Sequence, residues 1–128
     1  MLSRLCFGSF VLDTRNRLLL LDGVAIQIEP KVYDCICILA ARAGELITTQ
    51  DLRDALWPSV HVGPGALRRI IAEARKALDR SADAPSLIHT RKKVGYVFMA
   101  RVEAERVSHA AAHSYASHVL GERDPQAV

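Results

Sequence analysis

The apolar positions of the chain follow two spacings, one typical of strands and one typical of helices. Residues 6–28 hold short apolar runs separated by turn residues, and residues 24–28 alternate Val, Ile and Ile with Ala and Gln, as in a half-buried strand. Asp22-Gly23 predicts a two-residue hairpin, because both positions of a type I′ turn need a positive φ. We therefore expect an antiparallel N-terminal sheet with strands at residues 7–12, 17–21 and 24–28.

Helical spacing begins at Pro30, a residue that fits the first turn of a helix. Apolar residues between positions 32 and 43 form one face, and Gly44 marks the end of this helix. A short second helix is predicted over residues 49–57, with a capping-box-like start at Thr48 and a stop at Pro58. Between the two helices, residues 46–47 are suited to a short strand added to another sheet.

A third helix, residues 63–78, carries its apolar residues at i, i+4, i+7 and i+11, the spacing of one buried stripe: Leu67, Ile71, Ala74 and Leu78. The other side of this helix holds one acid, Glu73, among four cations, Arg68, Arg69, Arg75 and Lys76. Residues 87–98 then predict a β-hairpin whose tip is the cationic run Arg91-Lys92-Lys93. The chain therefore predicts a basic helix followed by a basic hairpin.

A length of 128 residues, half of them apolar, is enough for one domain, which we place at residues 1–102. Residues 103–128 are rich in Ala, His and Ser and form a tail. Apolar residues recur every four positions in this tail, so it is either a weak amphipathic helix over residues 107–119 or disordered. No membrane span and no signal peptide is evident, so we expect a cytoplasmic protein that does not bind membranes.

The net charge of +3 is distributed unevenly along the chain. Residues 62–96 hold eight lysines and arginines against three acids, for a net charge of +5, whereas the other residues together carry −2. A polarised charge of this kind favours a polyanion as the partner. The alternative is a basic face that is simply well solvated.

Patterns for catalysis and metal binding are weak. Neither GVAIQIE at 23–29 nor GPGAL at 63–67 has the spacing of a phosphate-binding loop. The acids are scattered over turns and solvent-facing positions. The three cysteines, at positions 6, 35 and 37, match neither a CxxC motif nor a zinc knuckle. Three histidines in the tail, at 109, 113 and 118, lack cysteine or carboxylate partners at a firm spacing. We predict no enzymatic activity, no cofactor and no metal site.

In their order, these elements resemble the winged helix-turn-helix DNA-binding domain of OmpR/PhoB-type bacterial transcription regulators. The resemblance covers about residues 6–102 and rests on several short motifs: FVLD at 10–13, RLL at 17–19, DG at 22–23, PKVYD at 30–34, LA at 39–40, GELIT at 44–48, LWP at 56–58, ARKAL at 74–78 and GYVF at 95–98. The family implies an α+β fold with an N-terminal four-stranded antiparallel β-sheet, a three-helix core and a C-terminal β-hairpin wing.

The resemblance also implies sequence-specific binding of double-stranded DNA, with helix 63–78 in the major groove and hairpin 87–98 as the wing. The positions that face DNA in this family correspond here to Gly65, Ala66, Arg69, Ile70, Ala72, Glu73, Arg75, Lys76, Thr90, Lys92 and Tyr96. The charge pattern adds Arg68, Arg91 and Lys93. The loop of residues 58–65 is expected to contact RNA polymerase, and we expect two copies to bind repeated half-sites as a homodimer.

The chemistry of the side chains divides their roles. Lysines and arginines bind phosphates without regard to sequence, which is the role expected for Arg68, Arg75, Lys76, Lys92 and Lys93. Base edges need matched partners, so we expect Arg69 to bind guanine, Glu73 to accept from cytosine N4, and Ile70 or Ala66 to contact a thymine methyl. The alternative for Glu73 is an ion pair with Arg69 or Lys76 along the helix.

Three residues depart from the family pattern. Glu73 stands at an often basic or polar position, Arg91 at a usually buried aliphatic one, and Lys93 at the usual wing glycine. A rival hypothesis makes the chain a winged-helix protein-interaction module, supported by Ile38, Ile70 and the outer alanines. Binding that changes little with salt would favour that module, whereas phosphate contacts predict a steep loss of affinity as salt rises.

Overall fold

The computed structural model describes residues 3–80 and 86–106. In chain order the elements are β1 (Ser3–Phe7), β2 (Phe10–Asp13), β3 (Leu18–Leu21), β4 (Val24–Ile26), α1 (Pro30–Ala41), β5 (Leu46–Thr48), α2 (Thr49–Leu56), α3 (Pro64–Leu78), β6 (Ile88–Arg91), β7 (Gly95–Phe98) and β8 (Glu103–Arg106). They fall into two units. The first contains β1–β4 and β8, and the second contains the three helices with β5–β7.

The first unit is a five-stranded antiparallel sheet in the order β4-β3-β2-β1-β8. Its register places Leu5, Leu12, Leu19 and Ile26 opposite one another on successive strands. Leu12 and Leu19 are fully buried at the centre of this row. Tight turns join short strands here, so apolar residues seven positions apart in the sequence form one cross-strand row.

The turns of this sheet follow the sequence signals. Asp22 and Gly23 have φ angles of 51° and 82°, which confirms the predicted hairpin between β3 and β4. The predicted turn after β2 is closed by the buried Asp13 carboxylate, which accepts hydrogen bonds from the backbone N–H groups of Arg15 and Asn16 at 3.0 Å. Asp13 is the only buried charged side chain among the described residues, and these bonds compensate its removal from water.

The strand predicted at residues 7–12 is corrected by the structure. Residues 7–12 are not one strand, because a turn at Gly8-Ser9 separates β1 from β2. The rings of Phe7 and Phe10 stack across this turn with their centroids 5.5 Å apart. The sequence pattern did not indicate this turn, because Phe7 and Phe10 on either side of it are both apolar and buried.

The predicted tail also begins differently. Residues 103–106 form strand β8, which pairs with β1 and places the Glu105 carboxylate on the Arg4 guanidinium. This strand lies within the range that was predicted to be a tail. The amphipathic helix predicted at 107–119 lies outside the described residues.

In the second unit, α1 and α2 begin at the predicted residues, and α3 begins one residue after its predicted start. Pro30 and Pro64 are the first residues of α1 and α3. The Thr48 hydroxyl accepts from the Asp51 backbone N–H at 3.0 Å and caps α2. α1 contacts α2, α3 and β7, and the buried side chains of these elements form the core of the unit.

β5, β7 and β6 form a three-stranded antiparallel sheet in that order, and β6 with β7 is the predicted hairpin. The predicted short strand at 46–47 is thus confirmed as part of β5. Gly95 lies so close to β5 that a Cβ atom there would be 2.0 Å from the carbonyl oxygen of Ile47. Only glycine fits at this position, which fixes the base of the hairpin on β5.

Candidate nucleic-acid interface

The exposed side of α3 is basic, as the sequence predicted. Arg68, Arg69 and Lys76 are exposed, and Glu73 and Arg75 are half-buried. The opposite side holds the buried residues Leu67, Ile70, Ile71, Ala74, Ala77 and Leu78. Their spacing repeats i, i+3, i+4 and i+7, the pattern of a helix that packs its whole apolar face into a core.

Ile70 is therefore not a DNA-facing residue. Its side chain is 0% exposed and belongs to the core row next to Leu67 and Ala74, so it cannot reach a thymine methyl group. The position-by-position transfer from the family was wrong here. Burial of Ile70 also removes part of the support for a protein-interaction module, because this isoleucine offers no surface to a partner.

Arg69 is held by a residue that the sequence analysis did not single out. Its two terminal nitrogens donate to the two carboxylate oxygens of Glu29, from Nη1 to Oε2 at 3.0 Å and from Nη2 to Oε1 at 3.2 Å. Both side chains remain accessible, with 57% of Arg69 and 52% of Glu29 exposed. This bidentate pair joins α3 to the start of α1, since Glu29 is the residue immediately before Pro30.

The pair shifts the ionisation of both groups. The hydrogen bonds and the charge of Arg69 hold the pKa of Glu29 below its ordinary value. The same contacts with Glu29 raise the pKa of Arg69, with a smaller contribution from the charge of Glu73. The alternative role of Glu73 was an ion pair with Arg69 or Lys76. The Arg69 guanidinium gives its hydrogen bonds to Glu29 rather than to Glu73.

Arg75 was predicted to bind a DNA phosphate, but its guanidinium is bonded within the protein. Its Nη2 donates to the carbonyl oxygen of Ile88 at 3.0 Å and to the Thr90 hydroxyl at 2.7 Å, and its Nε also donates to Ile88 at 3.3 Å. These bonds connect the last turns of α3 to β6. Arg75 and Thr90 therefore hold the helix and the hairpin together, so that the two basic elements adjoin.

The hairpin tip presents three exposed cations, Arg91, Lys92 and Lys93. A hydrogen bond of 2.9 Å from the backbone N–H of Val94 to the carbonyl of Arg91 closes the turn. Lys93 adopts a φ of 64°, in the left-handed region where glycine is favoured. The turn expected for the family is thus formed here by a lysine, which adds a charge at the cost of a less favourable backbone.

Tyr96, the last of the predicted wing residues, lies mostly inside the protein. It is 9% exposed and stands in the central strand β7, opposite Thr90 on one side and Ile47 on the other. A direct contact with DNA through its ring is therefore not available in this arrangement. Arg91, in contrast, is exposed at the end of β6, although the family usually has a buried aliphatic residue there.

The loop before α3 is exposed but shorter than predicted. Residues 58–61 and 63 are exposed, Val62 is half-buried, and Pro64 and Gly65 already belong to the first turn of α3. The start of the loop is tied to α1, because the Lys31 ammonium donates to the Leu56 carbonyl at 2.6 Å and lies 5.7 Å from the centre of the Trp57 ring.

The sequence held only weak signals for Glu29 and Lys31. Glu29 occupies the N-cap position of α1, where an acid is favoured by the helix dipole, but nothing local points to a partner 40 residues away. In the described ranges no group of three histidines, cysteines or acids is arranged to hold a metal ion, and no helix is long and apolar enough to cross a membrane.

A three-helix unit in which a basic third helix is bonded to a cationic hairpin is a winged helix-turn-helix. The family described as "Transcriptional regulatory protein, C terminal" matches residues 23–98, and the chain belongs to it. The transcriptional activator CadC of Escherichia coli is 32% identical over 82 residues, which are 63% of this chain and 16% of CadC. The chain thus matches only a small part of that relative.

Solved structures of DNA-binding domains are similar in fold. The DNA-binding domain of E. coli CadC superimposes with a TM-score of 0.71 and 27% identity, covering 78% of this chain and 94% of that domain. The DNA-binding domain of RstA from Klebsiella pneumoniae, solved in complex with the RstA box, gives a TM-score of 0.65 and 27% identity over 75% of this chain and 96% of that one.

These findings confirm the OmpR/PhoB-type winged helix-turn-helix, the α+β fold and the class of transcription regulator that the sequence predicted. The family consists of DNA-binding regulatory domains rather than enzymes, in agreement with the sequence prediction.

Proposed function

We propose that this chain binds double-stranded DNA sequence-specifically in the cytoplasm, with α3 in the major groove and the hairpin 87–98 as a wing on the neighbouring groove or backbone. The observation that carries the proposal is the bonding of two basic elements into one surface. Arg68 and Lys76 are exposed on α3, residues 91–93 are exposed on the hairpin, and Arg75 connects the two elements. A duplex presents phosphates on both sides of its major groove, which suits a helix flanked by a cationic loop.

Within this surface the side chains have separate tasks. Arg68, Lys76, Lys92 and Lys93 are exposed cations suited to phosphates, which fix register without reading sequence. Arg69 and Glu73 lie where the helix faces the groove, and their edges match guanine and cytosine respectively. Ala66 and Ala72, also on this side, leave room for the helix to approach the base edges closely.

The relatives support the proposal. The RstA DNA-binding domain was solved in complex with the RstA box, and CadC is named a transcriptional activator. In the structural comparisons, the CadC domain covers 78% of this chain and the RstA domain covers 75%. We extend DNA binding and transcription regulation to this chain on that basis together with the basic surface.

Two further contacts belong to the proposal. The loop before α3 has an exposed apolar residue, Val60, with 60% of its surface accessible, and we propose this loop as the site that contacts RNA polymerase. We also propose that two copies bind repeated half-sites, through the tail or by head-to-tail packing of the N-terminal sheets. The spacing of half-sites in bound DNA would distinguish one copy from two.

The test is selection of bound fragments from a pool of random duplexes, followed by titration of the selected duplex at increasing salt. A DNA-binding domain enriches a motif, and the logarithm of its affinity falls with the logarithm of salt by about 0.9 for each phosphate contact. Failure to enrich any motif, together with binding that does not depend on salt, contradicts the proposal. That result would instead favour a protein-interaction module.

A further inference from the structure

The pair formed by Glu29 and Arg69 has a feature that the fold does not require. Glu29 is the N-cap residue of α1, yet its side chain makes no capping hydrogen bond to that helix. The carboxylate instead extends to α3 and binds both terminal nitrogens of Arg69. A side chain that leaves its own helix end uncapped in order to hold an exposed arginine has a role at the surface where that arginine lies.

The geometry of the pair leaves one edge of the guanidinium for a second acceptor. A guanidinium has five N–H groups, and Glu29 receives one from each terminal nitrogen. The edge formed by Nε and the adjacent terminal nitrogen is directed elsewhere. Guanine presents two neighbouring acceptors, O6 and N7, in the major groove, and this second edge has the two parallel donors that they need.

The charge of Glu29 distinguishes a base from a phosphate. A phosphate brought to Arg69 would lie close to the Glu29 carboxylate, and the two negative charges would repel each other. A guanine edge is neutral and meets no such repulsion. A glutamate is ionised at neutral pH even at its ordinary pKa, and the hydrogen bonds from Arg69 lower the pKa of Glu29 further, so the repulsion is present under the conditions of binding.

We propose that Glu29 is a positioning residue for base recognition, which holds Arg69 ready for a guanine edge and disfavours its capture by phosphates. The proposal rests on the proposed function, since it concerns the same surface. It assigns the specificity of this surface partly to a residue outside α3 and the wing. Glu29 contributes to discrimination between sequences by lowering the affinity for DNA that lacks the matching base.

The test compares Glu29→Gln with the wild-type chain on two duplexes, the one selected by the wild-type protein and one in which its guanines are replaced. We expect the variant to bind the replaced duplex more tightly, so that the affinity ratio falls by about two- to fivefold, the range expected for an exposed ion pair. We also expect the salt slope on the replaced duplex to steepen by about 0.9, because Arg69 gains a phosphate contact.

Glu45→Gln is the matched control. Glu45 forms an exposed ion pair with Arg42 in the same unit, at 3.4 Å, so its replacement changes the net charge equally without touching Arg69. A second background, Arg69→Ala, shows whether Glu29 acts through the arginine. In that background Glu29→Gln should leave the affinity ratio unchanged. Glu29→Ser serves as a further variant, because serine is a good N-cap residue and preserves the start of α1.

Three results would overturn the inference: an unchanged ratio and salt slope in Glu29→Gln, the same change in Glu45→Gln, or the same change in the Arg69→Ala background. Each leaves DNA binding by the wild-type chain intact, so the proposed function survives. If the wild-type chain binds no duplex with any preference, the proposed function fails and the inference fails with it.

Discussion

Arg75 of α3 donates a 2.7 Å hydrogen bond to the hydroxyl of Thr90 in β6, and the same guanidinium binds the backbone carbonyl of Ile88. The recognition helix and the wing are therefore held together by a charged side chain acting on neutral acceptors. In the proposed complex, this contact sets the distance between the groove-facing helix and the cationic tip. Arg75 acts within the protein rather than on the DNA backbone.

Arg75→Lys should reduce both stability and DNA affinity, although it retains the charge. A single ammonium cannot bind Ile88 and Thr90 as the planar guanidinium does, and the loss of hydrogen bonds from a charged donor costs about 1–3 kcal/mol in the free energy of unfolding. Chemical denaturation measures this cost. Arg68→Lys, at an exposed position two turns earlier, is the control and should be nearly neutral. Equal effects of the two variants would contradict the structural role of Arg75.

Ile70→Ala should destabilise the chain by about 2–5 kcal/mol, because it removes a fully buried side chain from the core row of α3. Denaturant unfolding gives this value. Ala72→Ser, on the exposed side of the same helix, should change stability by much less. If Ile70→Ala were stable and changed the base preference selectively, the result would support a contact between Ile70 and a thymine methyl group and contradict the burial of this residue.

Lys92→Ala and Arg69→Ala should affect DNA binding in different ways. Lys92 is an exposed residue of the wing tip, so its removal should weaken all sequences alike and lower the salt slope by about 0.9. Loss of Arg69 should reduce preference at one or two base positions, by roughly tenfold. Competition titrations with single-base variants of the selected duplex measure both effects. Uniform losses in both variants would mean that Arg69 does not read bases.

Lys93→Gly should stabilise the fold and weaken DNA binding. The left-handed backbone of Lys93, with φ at 64°, costs a non-glycine residue about 1 kcal/mol, and glycine relieves this cost. The same change removes a cation from the wing tip. The melting temperature should therefore rise, while the DNA affinity and the salt slope measured by titration should fall. Lys92→Gly is the comparison, and it should weaken binding without the gain in stability.

Cys35 should be unreactive in the folded chain. Burial first, and then the nearby Asp34 carboxylate, raise the pKa of its thiol to about 12, so almost no thiolate is present at pH 8. A thiol reagent should label the half-buried Cys6 and Cys37 and reach Cys35 only in denaturant. Cys35→Ala should remove only the labelling that appears in denaturant. Rapid labelling of all three thiols in the folded protein would be inconsistent with this burial.

The raised pKa of Cys35 also predicts how the free energy of unfolding depends on pH. The neutral thiol is favoured in the folded state, so its contribution to the free energy of unfolding is complete below the usual value of 9.0 and declines as pH rises towards 12. Comparing the unfolding free energies of wild type and Cys35→Ala across that range isolates this contribution.

Features set by neighbouring residues were predictable from the sequence. The hairpin at Asp22-Gly23, the cap at Thr48 and the helix start at Pro30 each follow from backbone preferences within four residues. The exposed face of α3 followed from helical periodicity. Ile70 was misplaced because its DNA-facing role was carried over from the family, and because the predicted stripe omitted this i+3 neighbour of Leu67, which a core-facing helix also buries.

Contacts between distant parts of the chain were not predictable in the same way. The carboxylate of Glu29 meets Arg69 only because the packing of α1 on α3 brings their ends together. The pairing of β8 with β1 joins residues about 100 positions apart, and its short polar sequence carries no periodic signal. Such contacts depend on the tertiary arrangement, for which one sequence offers no local cue.

Gly95 lies against the backbone of β5, so the base of the hairpin does not tolerate substitution, whereas its exposed tip does. A library aimed at changing the strength of DNA binding can randomise the tip at residues 91–93, whose side chains are exposed. Position 95 must be kept as glycine, because any larger residue would collide with the backbone of β5 and displace the hairpin from the helices. Changes in overall DNA affinity are therefore best introduced at the outer turn of the hairpin.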